Sequence, residues 1–144
     1  MNHEPPSIPA LLSACRTIAV VGLSQNPDRP SYEVARYMQG CGYRIIPVNP
    51  TYAGTRILGE HCFSTLTQAA RMVSEEGASI DLVDCFRRPE HVLSIVEEAI
   101  RISVRCVWMQ LGIVHEAAAA KARAAGVAVV MDRCLKVEHS RYMS

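Results

Sequence analysis

Short apolar runs alternate with longer amphipathic stretches along this chain, which is the pattern of strand and helix units wound around a parallel sheet. Five runs read as buried strands, at residues 17–23, 43–48, 80–86, 104–109 and 127–131. Helical periodicity fills the intervals. In 31–41, Val34, Ala35, Met38 and Cys41 share one face, and Gly42 suits the left-handed residue that ends a helix. Further helices are predicted over 65–74, from Pro89 to about residue 102, over 115–125, and in a short segment from about Cys134. Pro89 fits a first-turn position because its missing amide proton is not needed there. Pro50, Gly54 and Gly59 make 49–64 a long loop or small hairpin, and Pro47 marks an edge or an end of pairing in the second strand.

The chain has 144 residues, 49% of them hydrophobic and 20% charged, enough for one domain with a sizeable core and too few for two. A formal charge of +1 gives no general attraction to nucleic acid or to an anionic membrane, so any anion site must be local. No apolar run approaches the roughly 20 residues that span a bilayer. Glu4 with Pro5, Pro6 and Pro9 interrupts any secretory pattern, and the six cysteines form no Cys-x-x-Cys pair. Reduced thiols and a cytoplasmic location are expected.

Ligands of such sheets bind beyond the carboxyl ends of the strands, where the strand order reverses. After the first strand come Gly22, Leu23 and Ser24, then Arg29 and Ser31 at the start of a helix. Only the first glycine of the dinucleotide fingerprint is present, with Ser24 and Pro27 in the other two places. Helix N-termini still favour phosphate. Gly22 and Ser24 either touch it or form a tight turn, and Ser31 caps the helix or binds the ligand. After the second strand, Val48, Asn49 and Pro50 stand where a NAD-binding domain carries an acidic residue for the ribose diol. An amide there avoids repelling a ribose phosphate, or it simply makes the turn before Pro50.

After the third strand, Phe86, Arg87 and Arg88 precede a helix with no Ser, Thr, Asp or Asn at its cap. Free amides and two guanidiniums there can receive a phosphate, or the arginines are solvated; Phe86 stacks on a base or sits in the core. Trp108 and Gln110 end the fourth strand, at a pocket mouth or buried. His3, His61, His91, His115 and His139 have no metal-binding spacing, with His91 and His115 expected to be exposed, and no Walker or nucleophile-elbow motif occurs. A binding site is more evident than a catalytic one.

Taken in order, IAVVGLS at 18–24 with Pro27, Arg29 and Ser31, GYRIIPVNP at 42–50, IDLVDCFRRP at 80–89, VWMQLGI at 107–113 and VVMDRCLK at 129–136 resemble the small stand-alone CoA-binding domain proteins. The similarity runs from about residue 15 to 142, leaving 1–14 as an N-terminal extension of a single domain. It implies a Rossmann-like, doubly wound parallel sheet of five strands in the order 3-2-1-4-5, with helices on both faces, and coenzyme A or an acyl-CoA in the site. The domain is also similar to the N-terminal part of the succinyl-CoA synthetase alpha subunit. The second domain found there has no counterpart in this sequence, so synthetase activity is not implied. The lysine of that subunit's glycine-rich loop is replaced here by Tyr52, leaving Arg29 or Arg56 to anchor the 3′-phosphate.

The expected function is non-catalytic binding or sensing of CoA, with an unidentified protein partner and a possible homo-oligomer. The alternatives are a nucleotide-dependent reductase and an interaction subunit with an empty site. Two further expectations follow. Gly22→Val should abolish binding while leaving the fold. If Asp132 caps the last helix, Cys134 lies in its first turn, where the dipole favours a thiolate able to exchange with the CoA thiol.

Overall fold

A computed structural model describes residues 7–143, so Glu4, Pro5, Pro6 and His3 lie outside the described residues. Each apolar run becomes a strand, trimmed at its ends. In chain order the elements are α1 Ile8–Ala14, β1 Thr17–Val21, α2 Pro30–Gly40, β2 Arg44–Val48, a 3-10 turn at Pro50–Tyr52, β3 Arg56–Ile57 and β4 Glu60–His61. There follow α3 Leu66–Glu75, β5 Leu82–Cys85, α4 Pro89–Arg101, β6 Cys106–Met109, α5 Glu116–Ala124, β7 Ala128–Val130 and α6 Leu135–Met143. The first strand stops at Val21 because Gly22, at φ +92°, turns the chain away from extended geometry.

Five strands form one parallel sheet in the order β2-β1-β5-β6-β7, and β3 and β4 pair as a separate antiparallel hairpin. The doubly wound α/β class is as expected, but the order differs. Counted along the chain, the sheet strands run 2-1-3-4-5 rather than 3-2-1-4-5, because β5 pairs with β1 instead of lying outside β2. Pro47 supplies the physical reason. It faces the outer edge of β2 and has no amide to give a neighbour there. Among the described residues a single parallel bridge, Val48 to Phe63, forms on that edge, held by Phe63 N to Pro47 O at 3.0 Å and Asn49 N to Phe63 O at 2.9 Å.

Both faces of the sheet are covered. One layer, from α3, α4 and α5, packs Leu66, Val73, Val92, Val96 and Ala119 onto Ala19, Val83 and Val107. The other, from α1, α2 and α6, packs Leu12, Val34, Met38 and Leu135 onto Ile18, Leu82 and Trp108. Cys41 is not part of this buried face; it follows the last turn of α2 and is exposed. Helix α1 belongs to the segment expected to be an extension, yet Leu12 is in the core and its carbonyl accepts the Tyr43 hydroxyl at 2.8 Å. No helix among the described residues is long and apolar enough to cross a membrane.

Candidate functional site

The strand order places the switch point between β1 and β5. From β1 the chain turns into α2 on one face, and from β5 it turns into α4 on the other, so the two exits diverge and leave a crevice at the carboxyl rim of the sheet. Gly22 is where the two exits touch. Its amide donates to Val48 O at 2.8 Å, and a Cβ built on it would stand 2.4 Å from Phe86 O and 3.0 Å from Arg87 Cδ. The side chain of Arg87 thus lies over Gly22. A valine here would drive the two loops apart, so the expectation that Gly22→Val leaves the fold is corrected: the absent side chain serves the packing of the rim itself.

The loop after β1 is braced from within. Ser24 N donates to the buried Ser31 Oγ at 3.0 Å, Asn26 N to Ser24 Oγ at 3.0 Å, and Asp28 N to Asn26 Oδ1 at 3.0 Å. Ser31 therefore does not cap α2; it clasps the loop. Leu23 is fully buried and its carbonyl accepts from Asn49 Nδ2 at 3.1 Å, while Asn49 Oδ1 accepts from Thr51 N at 3.0 Å. Asn49 makes the expected turn and also ties the β2 exit to the β1 exit. Val48 is buried and Pro50 exposed, so Gly22, Leu23, Ser24, Ser31, Val48, Asn49 and Pro50 meet as one structural unit.

Arginines border what this unit leaves open. Arg29 is the N-cap of α2 and Arg88 that of α4, and neither side chain accepts an amide hydrogen bond, since a guanidinium only donates. The other helix starts have acceptors: Ser7 for α1, Thr65 for α3, His115 for α5, and Gln110 Oε1 for Leu135 N at the start of α6. The two uncapped helices are those that flank the crevice. Arg29 and Arg88 are exposed, and none of Arg29, Arg87 and Arg88 makes an ion pair among the described residues. Proline opens both helices, and the Tyr32 and His91 amides bond back to Arg29 O at 3.1 Å and Arg88 O at 2.9 Å, so the Ser31 and Glu90 amides are the first-turn donors that stand beside the three guanidiniums.

The remaining sequence candidates have structural partners. Phe86 is half-buried and packs against the layer of α1, α2 and α6. Trp108 is fully buried and donates to Arg133 O at 2.8 Å, so it lines no pocket mouth. Gln110 is buried as the cap of α6. Asp132 does not cap that helix: its Oδ1 accepts from Gly112 N at 2.7 Å. Cys134, half-buried, precedes α6 rather than lying in its first turn. The Asp132 cap on which the Cys134 expectation was conditional is therefore absent, while Cys134 stands at the helix start with its carbonyl accepting from Glu138 N at 3.0 Å. His115 Nδ1 accepts from Ala118 N at 3.0 Å, a capping role that its expected exposure did not suggest.

Beneath the crevice lies a group that the sequence reading overlooked. Asp84, on β5 in register with Val20 and Trp108, is fully buried, and neither carboxylate oxygen has a hydrogen-bond partner. Burial alone holds its pKa well above the usual carboxylate range. The adjacent Cys85 thiol is pushed up to about 11, first by burial and then by Asp84. Two concavities lie elsewhere, along α2: one of about 530 Å³ between Tyr32, Arg36 and Lys136, and one of about 580 Å³ between Cys15, Tyr43 and His139. The second sits at the amino ends of β1 and β2, and neither contains the uncapped helix starts of α2 and α4 together.

Comparison with known proteins agrees with this geometry. Residues 16–140 match the CoA binding domain. An uncharacterized Bacillus subtilis (strain 168) protein, YneT, is 39% identical over 139 residues, which cover 96% of each chain. A solved structure from Thermus thermophilus is 36% identical with a TM-score of 0.83, covering 93% of this chain and 95% of its own. A hypothetical protein from Pyrococcus horikoshii OT3 is 30% identical with a TM-score of 0.84 over the full length of both chains. With a matching domain over most of its length and full-length relatives of the same fold, the chain belongs to the CoA-binding domain family.

Proposed function

We propose that the protein, as a single domain, binds coenzyme A or an acyl-CoA at the carboxyl rim of its sheet and acts by holding or sensing that ligand, not by catalysing a reaction on it. The observation that carries this reading is the pairing of the two uncapped helices, α2 and α4, across the switch point with Arg29, Arg87 and Arg88 between them. Phosphates would supply the acceptors that these helix starts lack. A neutral Asn49 at the end of β2 supports a phosphorylated ribose over the free diol of NAD, because the amide itself adds no negative charge at that position.

Calorimetric titration tests the reading. CoA is expected to bind at least tenfold more tightly than NAD, a difference of about 1.4 kcal/mol, and dephospho-CoA to fall between them. Arg29→Ala and Arg88→Ala should each weaken CoA binding, by an amount that shrinks as salt is raised. Equal or tighter binding of NAD would contradict the assignment, and unchanged affinity in both variants at low salt would make these arginines solvated surface charges.

A further inference from the structure

The cavity of about 580 Å³ at the amino ends of β1 and β2 lies at the opposite end of the sheet from the arginine-bordered crevice, and its volume is in the range of small-molecule sites. Five residues of β1, about 16 Å of strand, separate the two. Its walls come from the last turns of α1, α2 and α6. Helix α1 stops at Ala14 and α2 at Gly40, and Gly42, at φ +100°, turns the chain towards β2 with open space where a side chain would stand. Arg16 O accepts from Arg44 N at 2.9 Å as β1 and β2 come into register, so the ends of α1 and α2 meet the sheet side by side.

Leu12, Met143 and the rings of Tyr37, Tyr43 and His139 line this space, and the polar atoms of the rings are largely engaged. The Tyr43 hydroxyl donates to Leu12 O at 2.8 Å, the Tyr37 hydroxyl lies 3.2 Å from His139 Nδ1, and both tyrosine rings meet the His139 ring edge-on, at 5.5 and 5.7 Å between centroids. Burial holds the His139 pKa below the usual histidine value, so the ring is neutral at pH 7. Arg16 is the exception. Its amide is fixed on Asp81 Oδ2 at 2.8 Å, but its side chain is exposed and its guanidinium makes no ion pair among the described residues. No aspartate or glutamate lines the cavity. Burial and then the Cys15 and Cys41 thiols push the Tyr43 phenol up, while the Arg16 guanidinium pulls it down, so the positive charge reaches into this space.

We infer that this cavity is a second ligand site, for a small monocarboxylic acid whose apolar body packs on Leu12, Met143 and the three rings and whose carboxylate pairs with Arg16. A guanidinium fork matches a carboxylate in charge and in geometry. A phosphate would bring more charge and more oxygens than one arginine can receive, and the engaged hydroxyls offer no further donors. The site is separate from the crevice, and the inference does not rest on the CoA reading.

The test follows the backbone amides of ¹⁵N-labelled protein on titration with phenylacetate and with its neutral counterpart, phenylacetamide. Phenylacetate should shift the amides of Leu12, Arg16, Gly42 and Tyr43 saturably and leave those of Ser31 and Glu90 in place, and phenylacetamide should bind at least tenfold more weakly. Arg16→Gln should bring the acid down to the affinity of the amide. Cys41→Trp sets a large side chain at the exposed helix end beside the cavity, in a backbone conformation (φ −88°) open to any residue, and should abolish binding of both. Circular dichroism establishes that the variants are folded, and the comparison of acid with amide on the wild type stands without them. An amide that binds as tightly as the acid, shifts centred on Ser31 and Glu90, no saturable shift in the wild type, or binding that survives Cys41→Trp overturns the inference and leaves the CoA reading untouched.

Discussion

Replacing Asp84 by asparagine is expected to stabilise the protein, and by more at pH 8 than at pH 5. The carboxyl is fully buried beside Val20 and Trp108 with both oxygens unpartnered, and burial raises its pKa in the folded state. In the unfolded chain an aspartate ionises near pH 4, whereas the folded chain keeps the proton, so unfolding releases one proton over this window. The sign follows: with more protons bound in the folded state, stability falls as pH rises from about 4 to the raised folded value, by up to about 1.4 kcal/mol per pH unit. Asparagine has nearly the same shape and no such linkage. Asp84→Asn should therefore gain more stability at pH 8 than at pH 5. Urea denaturation at the two pH values measures it, and a variant less stable than wild type at both, or a difference that does not change with pH, would show that Asp84 is ionised and satisfied in solution.

Gly22→Ala should act in the opposite direction. At φ +92° a side chain is strained whatever space surrounds it, and the added Cβ would meet Phe86 O at 2.4 Å, a backbone atom that cannot rotate away. A left-handed conformation of this kind costs about 1–3 kcal/mol before the clash is counted, enough to lower the melting temperature by several degrees or more in a chain of this size. Because Gly22 joins the β1 and β5 exits, CoA affinity should fall in the same variant even at temperatures where it remains folded. Circular dichroism melting decides the stability part: a midpoint within about 1 °C of wild type would mean that the loops separate without cost.

Much of this fold is legible in the sequence because apolar spacing reports burial directly. All five sheet strands and five of the six helices lie where the periodicity puts them. Helix α1 escaped because seven residues are too few for a periodic signal, and what orders it is tertiary, through Leu12 and Tyr43. The strand order escaped for a related reason. Which strand lies beside β1 depends on partners distant in sequence, and Pro47, read as an edge signal, did not by itself say what covers that edge.

The site was legible in place more than in role. Strand ends pointed to Gly22, Asn49, Arg87 and Arg88, and the structure gathers them at one crevice. Ser31, Asn49 and Gln110 looked like ligand contacts because polar side chains at strand ends often are, yet their hydrogen bonds go to Ser24 N, Leu23 O and Leu135 N. Those partners lie 7, 26 and 25 residues away, beyond any local pattern. Asp84 shows the limit most clearly. It and Asp81 belong to one predicted strand, but Asp81 Oδ2 accepts from Arg16 N and Thr17 N at the lower edge of the sheet, while Asp84 is sealed in its middle. Two aspartates three positions apart in one strand face opposite sides, and the sequence alone does not say which environment each side meets.

Titrating ¹⁵N-labelled protein with CoA and following the backbone amide resonances examines most directly whether the carboxyl rim is the binding site. The largest shifts are expected in the first turns of α2 and α4, at Ser31, Tyr32, Glu90 and His91, and in the loop of residues 22–29, with little change around Tyr43 and His139. Shifts centred on the cleft between Cys15, Tyr43 and His139, or none at saturating CoA, would contradict it.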